Sequence, residues 1–497
     1  MAKDGAIKES DSYRQILRAT SVFGGVQVFK IIIAIIRSKV IAILLGPGGM
    51  GIAGLLTSTL ELVGSLTNFG LGVSSVKDIA AAHEGKNELR MARVVVVVRR
   101  LVWFTGILGA LITFVFASWL SELAFGNTEY STAFLWLSMA LLFNQLTSGQ
   151  YVLLQGMRKL KFLARASMQG SALGLLVSIP LYYYLGIEGI VPAIILTSLL
   201  TLGVTRYFSK QVKTQKVNVS FKETRVLGKG MMLMGFMLSL SGLLVVGSLY
   251  LIRIFISNTG GIEDVGLFNA GFAIMNTYVG LVFTAMATDY YPRLSGVAYD
   301  NKKATVMINQ QAEIAILILA PILVVFLLFI NWIVILLYST KFASIDAMLH
   351  WMALGMFFKA GSWSIAFILL AKGASKLFFW NELIATIYGL GLNVLGYYLM
   401  GLEGLGISFL ISYLLYFIQV LILANYKYKF SFHTHFYRIF GVQFSLAIIC
   451  FFIIKFIPTP WGYLIGLPFI IISGWVSIVE LDRRIDLKDF LKKRINK

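Results

Sequence analysis

Apolar residues run along this chain in stretches of about twenty, broken by short polar connections. A helix needs ~20 apolar residues to cross ~30 Å of hydrocarbon, and lipid offers nothing to satisfy an unpaired backbone group. Each stretch is therefore predicted as a membrane-spanning helix and not a strand. The pattern places them at 20–45, 50–74, 94–119, 131–154, 167–186, 190–208, 230–256, 265–290, 310–338, 347–371, 379–400, 404–424, 437–457 and 461–480, about fourteen in all. The fold class expected is an all-α membrane protein.

The connections alternate in charge. Those holding Lys77 to Arg100, Arg158 to Arg165, Arg206 to Lys229, Arg293 to Lys303, Lys372 with Lys376, and Lys427 to Arg438 are basic, as are the ends, Lys3 to Arg18 and Arg483 to Lys497. The intervening ones, such as Gly186-Ile187-Glu188, Gly401-Leu402-Glu403 and Pro458-Thr459-Pro460, contain only Lys341 as a base. Basic connections stay in the cytoplasm. The alternation predicts an even number of spans, both termini inside, and a multi-pass protein of the cell inner (cytoplasmic) membrane.

Composition agrees. Of 497 residues, 58% are hydrophobic and 13% charged, with a mean hydropathy of +0.81; soluble domains carry roughly 25% charged residues. A formal charge of +20 would suggest nucleic acid in a soluble protein. Here the excess sits mainly in short connections, and no Cys-x-x-Cys or RNP-type signature accompanies it, so no nucleic-acid partner is expected. Cys450 is alone, which precludes an intrachain disulfide. The polar N-terminus leads into an apolar run too long for a signal h-region, so no cleavage is expected.

An internal repeat points to two lobes. The segment Tyr183 to Ile190 recurs as Tyr398 to Leu405 at an offset of 215, and Gly156-x-x-Lys159-Leu160-x-Phe162 recurs as Gly373-x-x-Lys376-Leu377-x-Phe379 at 217. The organisation expected is an N-terminal six-helix lobe at 1–208, a cytoplasmic linker at 209–228, and a C-terminal six-helix lobe at 229–428. Two extra helices and a basic tail at 429–497 follow. Six helices per repeat would relate the lobes by a pseudo-two-fold axis along the membrane normal.

Charges inside lipid are costly and mark pathways or buried pairs. The first span carries Lys30, Arg37 and Lys39; Arg37 stands ~12 Å from the helix end, and Lys30 and Arg37 share a face. Structural pairing with a neighbour and a cationic cavity wall are both open for them. The second span carries Thr57, Glu61, Ser65 and Asn68 as one stripe, either helix–helix glue or cavity lining. Glu61 needs a partner, with Arg37 or Lys30 the expected one. Asn269 and Asn276 form a matching stripe in the second lobe, and Asn276 falls on Glu61 at the 215 offset. Arg253 and Lys359 are further buried cations, while Lys455 is expected to snorkel. A net cationic interior suits an anionic ligand such as phosphate. Gly46-Pro47-Gly48-Gly49 lacks the Lys-Ser/Thr of a phosphate loop, and His433 with His435 lacks a third ligand. No metal and no cofactor is expected.

Several of these residues carry a resemblance. Lys30 and Lys39 are followed by Gly46-Pro47-x-Gly49-x-Gly51. Phe125-Gly126-Asn127-Thr128-Glu129-Tyr130 and Leu336-Leu337-x-Ser339-x-Lys341-Phe342 come next, then Lys359 and Ala371-Lys372. Over about residues 15–425 the chain resembles the polysaccharide flippases of the multidrug/oligosaccharidyl-lipid/polysaccharide exporter superfamily. Within it, the likeness is to O-antigen translocases and the lipid III flippase of enterobacterial common antigen. The resemblance implies a transporter, not an enzyme, that moves undecaprenyl-pyrophosphate-linked oligosaccharide between leaflets by alternating access. Lys30, Arg37, Arg253 and Lys359 would neutralise the pyrophosphate, the stripes Thr57, Glu61, Ser65, Asn68, Asn269 and Asn276 would line the cavity, and Glu61 would be a candidate for ion coupling. Membrane lipid, a polysaccharide polymerase and chain-length machinery are candidate partners; oligomeric state is not fixed. The family usually has twelve helices, so the last pair is a departure. The alternatives are an ion-coupled multidrug exporter, which would want more carboxylates, and a membrane polymerase or ligase, which would want a large outside loop.

Overall fold

The computed structural model describes residues 25–84, 88–212, 215, 217–458 and 460–485. The basic run Lys3 to Arg18, the start of the first expected span and the tail beyond 485 lie outside them. Among the described residues all regular structure is helical. In chain order the helices are α1 (25–44), α2 (Gly46–Thr67), α3 (Leu71–Glu84), α4 (Glu88–Val115), α5 (Ala117–Phe125), α6 (Ser131–Gly156), α7 (Leu160–Leu185) and α8 (Ile190–Lys210). They continue with α9 (Phe221–Gly260), α10 (Ile262–Ala273), α11 (Leu281–Val297), α12 (Asn301–Leu337), α13 (Asp346–Ala371), α14 (Ser375–Tyr428), α15 (Thr434–Phe456) and α16 (Trp461–Ile485). Ten helical stretches among these residues are long and apolar enough to cross a membrane.

Two of the ten, Leu160–Lys210 and Ser375–Tyr428, are hairpins. Each reverses at a glycine of the repeated motif: Gly186 has φ 58°, ψ −131° and Gly401 has φ 58°, ψ −137°. No side chain adopts that conformation readily, which is why glycine recurs there. Gly189 and Gly404, three residues on, pack so tightly that an added Cβ would lie 2.3 Å from the Leu181 carbonyl and 1.9 Å from the Gly396 carbonyl. The second repeat also follows the 215 register. Lys159 (φ −81°, ψ 55°) corresponds to Ala374 (φ −79°, ψ 55°), and Arg158 and Gly373 both have positive φ. The offset of 217 read from the residue letters is thus two residues out of the backbone register.

Several helices extend past their apolar cores. α9 begins at Phe221, inside the stretch read as linker, because Ser220 and Glu223 form a reciprocal capping box. α12 begins at Asn301, where the Asp300 carboxylate accepts from the Lys302 and Lys303 amides. The basic connection after α2 is not a loop but the helix α3 and the start of α4.

Packing divides the chain into two compact units, up to Gly266 and from Leu267. In the first, α9 packs on α2 and α3, α4 on α6, and α7 on α8. Its core joins Leu71 and Ile79 of α3 to Val97, Val98 and Val102 of α4. In the second, α13 is the central helix, packed on α14 and α12. Lipid supplies no hydrophobic drive between helices, so close approach at small residues does the work. Gly355 meets Phe409, Gly361 meets Phe417, and Gly406 lies against the Met348 backbone. α15 and α16 lie against α12 and are joined by a buried amide: Gln443 donates to Ser477 Oγ (2.9 Å) and the Ser473 carbonyl (3.1 Å) and accepts from Ser473 Oγ (2.6 Å).

Candidate functional site

In the first unit, Arg37 of α1 is half-buried. Its guanidinium lies against α7 at Gly174, where a Cβ would stand 3.1 Å from Nη2. Its charge also acts on the buried Tyr182, about two turns along α7 from Gly174. Its Nε is buried without a hydrogen-bond partner, so the cation retains donor capacity. Lys30 is exposed on the same helix and Lys39 half-buried.

Glu61 of α2 is accessible and interacts electrostatically with Arg253 of α9. The expected partners, Arg37 or Lys30, are replaced by Arg253 because α2 and α9 are in register: buried Thr59 Oγ1 donates to Tyr250 Oη at 3.1 Å, close along each helix to the charged pair. The rest of the α2 stripe divides. Thr57 bonds back to the Ala53 carbonyl at 2.6 Å, and Asn68 accepts from the Gly70 amide at 2.6 Å, which builds the turn into α3. Ser65 is half-buried. Asn68 is thus a turn former, and Glu61 is the residue of that stripe with ion chemistry.

In the second unit, the span after α10 passes through one π-helical turn, Ile274–Val279. Such turns widen the backbone and occur mostly at functional positions. Asn276 sits in it and accepts a hydrogen bond from Lys359 Nζ at 2.6 Å. Lys359 is about midway along α13 and half-buried. Its ammonium also faces three rings, Tyr413 at 5.1 Å and Phe283 and Phe409 at 5.9 Å each. Cation–π attraction of ~0.5–2 kcal/mol per ring can hold an ammonium without neutralising it. Among the described residues Lys359 has no ion pair; its partners are an amide oxygen and three aromatic faces. Asn269 of α10 is half-buried. Sequence reading singled out Lys359 and Asn276 but not the rings, since aromatic residues are frequent throughout and only the fold selects these three.

Three further charges in or near the spans have partners. Lys455, near the end of α15 and partly exposed, reaches Glu403 at 3.4 Å and lies over Trp351 at 5.2 Å, while Trp351 Nε1 donates to the same carboxylate at 2.9 Å. Glu382 accepts from Tyr416 Oη at 2.5 Å. Glu313 meets Arg484 at 2.9 Å. Among the described residues no group of His, Cys, Asp and Glu could hold a metal ion.

The fold is similar to that of a lipid II flippase, MurJ, in an inward closed conformation. The TM-score is 0.71 at 14% identity, covering 94% of this chain and 99% of that one. It is also similar to an inward-facing multidrug resistance MATE family transporter of the MOP superfamily, with a TM-score of 0.67 at 14% identity over 81% and 94% of the two chains. In sequence the chain is 22% identical over 396 residues to the lipid III flippases of Escherichia coli (strain K12) and Shigella flexneri, covering 78% of this chain and 93% of each relative. Residues 40–347 match the family described as polysaccharide biosynthesis protein. That match takes in more than half of the chain, and the protein belongs to this family.

Proposed function

We propose that the protein is a flippase for undecaprenyl-pyrophosphate-linked oligosaccharide, an O-antigen or related surface-polysaccharide repeat unit, and that it works by alternating access. It makes and breaks no bond. The observation that carries this reading is Lys359, a cation halfway along a membrane span with only neutral partners. Such a charge is costly in lipid, and an anionic headgroup that arrives during transport offsets that cost. Arg37, with a buried Nε left over, is the counterpart in the first unit, and Lys30 and Arg253 add to the pyrophosphate contacts. The polar residues Thr57, Ser65, Asn269 and Asn276 contact sugar, and the polyprenyl tail stays in lipid. Glu61 is the coupling carboxylate, its charge balanced by Arg253 until an ion binds.

Family membership and the lipid III flippase relatives support the substrate class. The multidrug reading would need a carboxylate free for a cationic drug, and Glu61 is engaged by Arg253. The same proposal includes fourteen spans, the lobes 1–208 and 229–428 joined by 209–228, both termini in the cytoplasm, residence in the inner membrane, and polymerase and chain-length proteins as downstream partners. Purified protein in liposomes with defined lipid-linked glycans tests it. Wild type is expected to move the glycolipid between leaflets, while Lys359→Ala and Arg37→Ala, inserted normally, do not. Normal transport by both variants would remove the pyrophosphate role.

A further inference from the structure

The last two helices border a cavity of about 860 Å³ with α12. Its lining takes in the start of α12, the start of α15 and the end of α16, beside the basic connections 293–303 and 427–438. α12 has 37 residues with a kink at Phe329, more than the ~20 that cross ~30 Å of hydrocarbon, and its first turns, 301–311, are its polar ones. Four arginines and two histidines line the cavity against two glutamates, Glu313 and Glu480.

The charges do not cancel. Arg484 engages both glutamates, Arg483 shares Glu480 at 3.1 Å, and Arg293 pairs with Asp289 at 2.8 Å. Four arginines thus meet three carboxylates, and Arg438, which acts on Glu480 only at longer range, makes no close ion pair among the described residues. The walls are also graded. On α15, His435, Arg438 and Val442 follow one another down one face; on α16, Arg483, Val479 and Trp475 do the same in the opposite chain direction. Basic and polar residues thus line the cavity at one end of these helices, and aliphatic residues with the largely exposed Trp475 line it toward their apolar centres. The frame is fixed by the Gln443 hydrogen bonds between α15 and α16. Buried Asn309 fixes it too: it donates to the Ser431 carbonyl at 3.1 Å and accepts from the His433 amide at 2.7 Å, holding that loop on α12.

We propose that this cavity binds an acidic membrane phospholipid, with its phosphate on Arg438 and the histidines and an acyl chain along Val442, Val479 and Trp475. Basic pockets between spans at the cytoplasmic face have the chemistry that acidic headgroups seek, and the aliphatic stretch of the wall distinguishes a lipid from a free phosphate. α15 and α16 thereby give the protein a lipid anchor, whatever it transports.

Native mass spectrometry of the full chain, with phosphatidylglycerol, phosphatidylcholine, undecaprenyl pyrophosphate and inorganic phosphate as separate probes, tests this. Phosphatidylglycerol is expected to be retained over phosphatidylcholine. Arg438→Ala should lower its affinity about fivefold, the equivalent of ~1 kcal/mol per basic residue near an acidic surface, and Arg438→Lys should keep most of it. Arg438 is exposed, so these variants are expected to fold, and their unchanged melting temperature without lipid checks that. Equal retention of the two phospholipids, or no effect of Arg438→Ala, overturns the proposal. So does binding of undecaprenyl pyrophosphate or inorganic phosphate at this site in preference to phosphatidylglycerol.

Discussion

Asn276 and Lys359 make the sharpest statement available from single side chains. The amide oxygen accepts one hydrogen bond and leaves the ammonium charged. Replacing Asn276 by Asp keeps the shape and adds a carboxylate at the same place, which turns the contact into an ion pair and removes the charge a substrate would meet. Asn276→Asp is expected to reduce glycolipid transport by roughly tenfold or more, on the scale of a charge-assisted hydrogen bond of ~1.5–3 kcal/mol, and Asn276→Ala by less. Both should leave protein levels near wild type. The liposome assay with quantitative immunoblotting checks this, and an Asp variant that transports normally would mean the charge is not used. Gly174 is a second case. A Cβ there would lie 2.5 Å from Thr197 Cγ2 and 3.1 Å from Arg37 Nη2, so Gly174→Ala is expected to destabilise by ~1–3 kcal/mol, as overpacking does. It should show as a lower melting temperature in detergent. At this scale the sequence was legible in part. A charge in an apolar run announces itself, and so Arg37, Arg253, Lys359 and Glu61 could be named. The rings around Lys359 could not, because Tyr413, Phe283 and Phe409 are ordinary residues of apolar helices until the fold brings them close.

Single helices were read well in their apolar centres and less well at their ends. Hydropathy reports only the part of a helix that lies in lipid, so α9 and α12 extend beyond it to Phe221 and Asn301. The stopping points were nevertheless written in the chain. Ser220 and Glu223 stand at capping-box spacing, and Asp300 precedes the first turn of α12. The extension of α9 matters because Arg100 of α4 holds it, donating to the Val219 carbonyl at 2.9 Å and to Thr224 Oγ1 at 2.7 Å, and stacking on Phe221 at 5.1 Å. Ser220→Ala is expected to cost ~1 kcal/mol of helix stability, with faster amide hydrogen exchange confined to residues 221–228. Exchange rates unchanged there would mean that the Arg100 contacts alone hold the turn. The π turn at Ile274–Val279 had no counterpart signal, since it depends on the seating of Asn276 against α13 and not on any local propensity.

Across the whole molecule, two observations reinforce each other. The charge alternation assigns Gly186-Ile187-Glu188 and Gly401-Leu402-Glu403 to the same side of the membrane, and the backbone turns with the same angles at Gly186 and Gly401. Likewise it assigns the connections after α6 and α13 to the opposite side, and these share backbone angles at Lys159 and Ala374. A repeat that preserves both backbone and charge placement requires an even number of spans between equivalent points, so sidedness can be tested at four positions. Cys450 is fully buried, and its replacement by Ser gives a background without cysteine. Single cysteines at Glu188 and Glu403 are expected to react with a membrane-impermeant maleimide on intact cells, and single cysteines at Lys161 and Lys376 only after permeabilisation. Labelling of Glu188→Cys and Glu403→Cys from opposite sides would break the repeat. Labelling of all four positions in the reverse sense would keep the repeat but place the basic connections outside, and the basic lining of the cavity at α12, α15 and α16 with them.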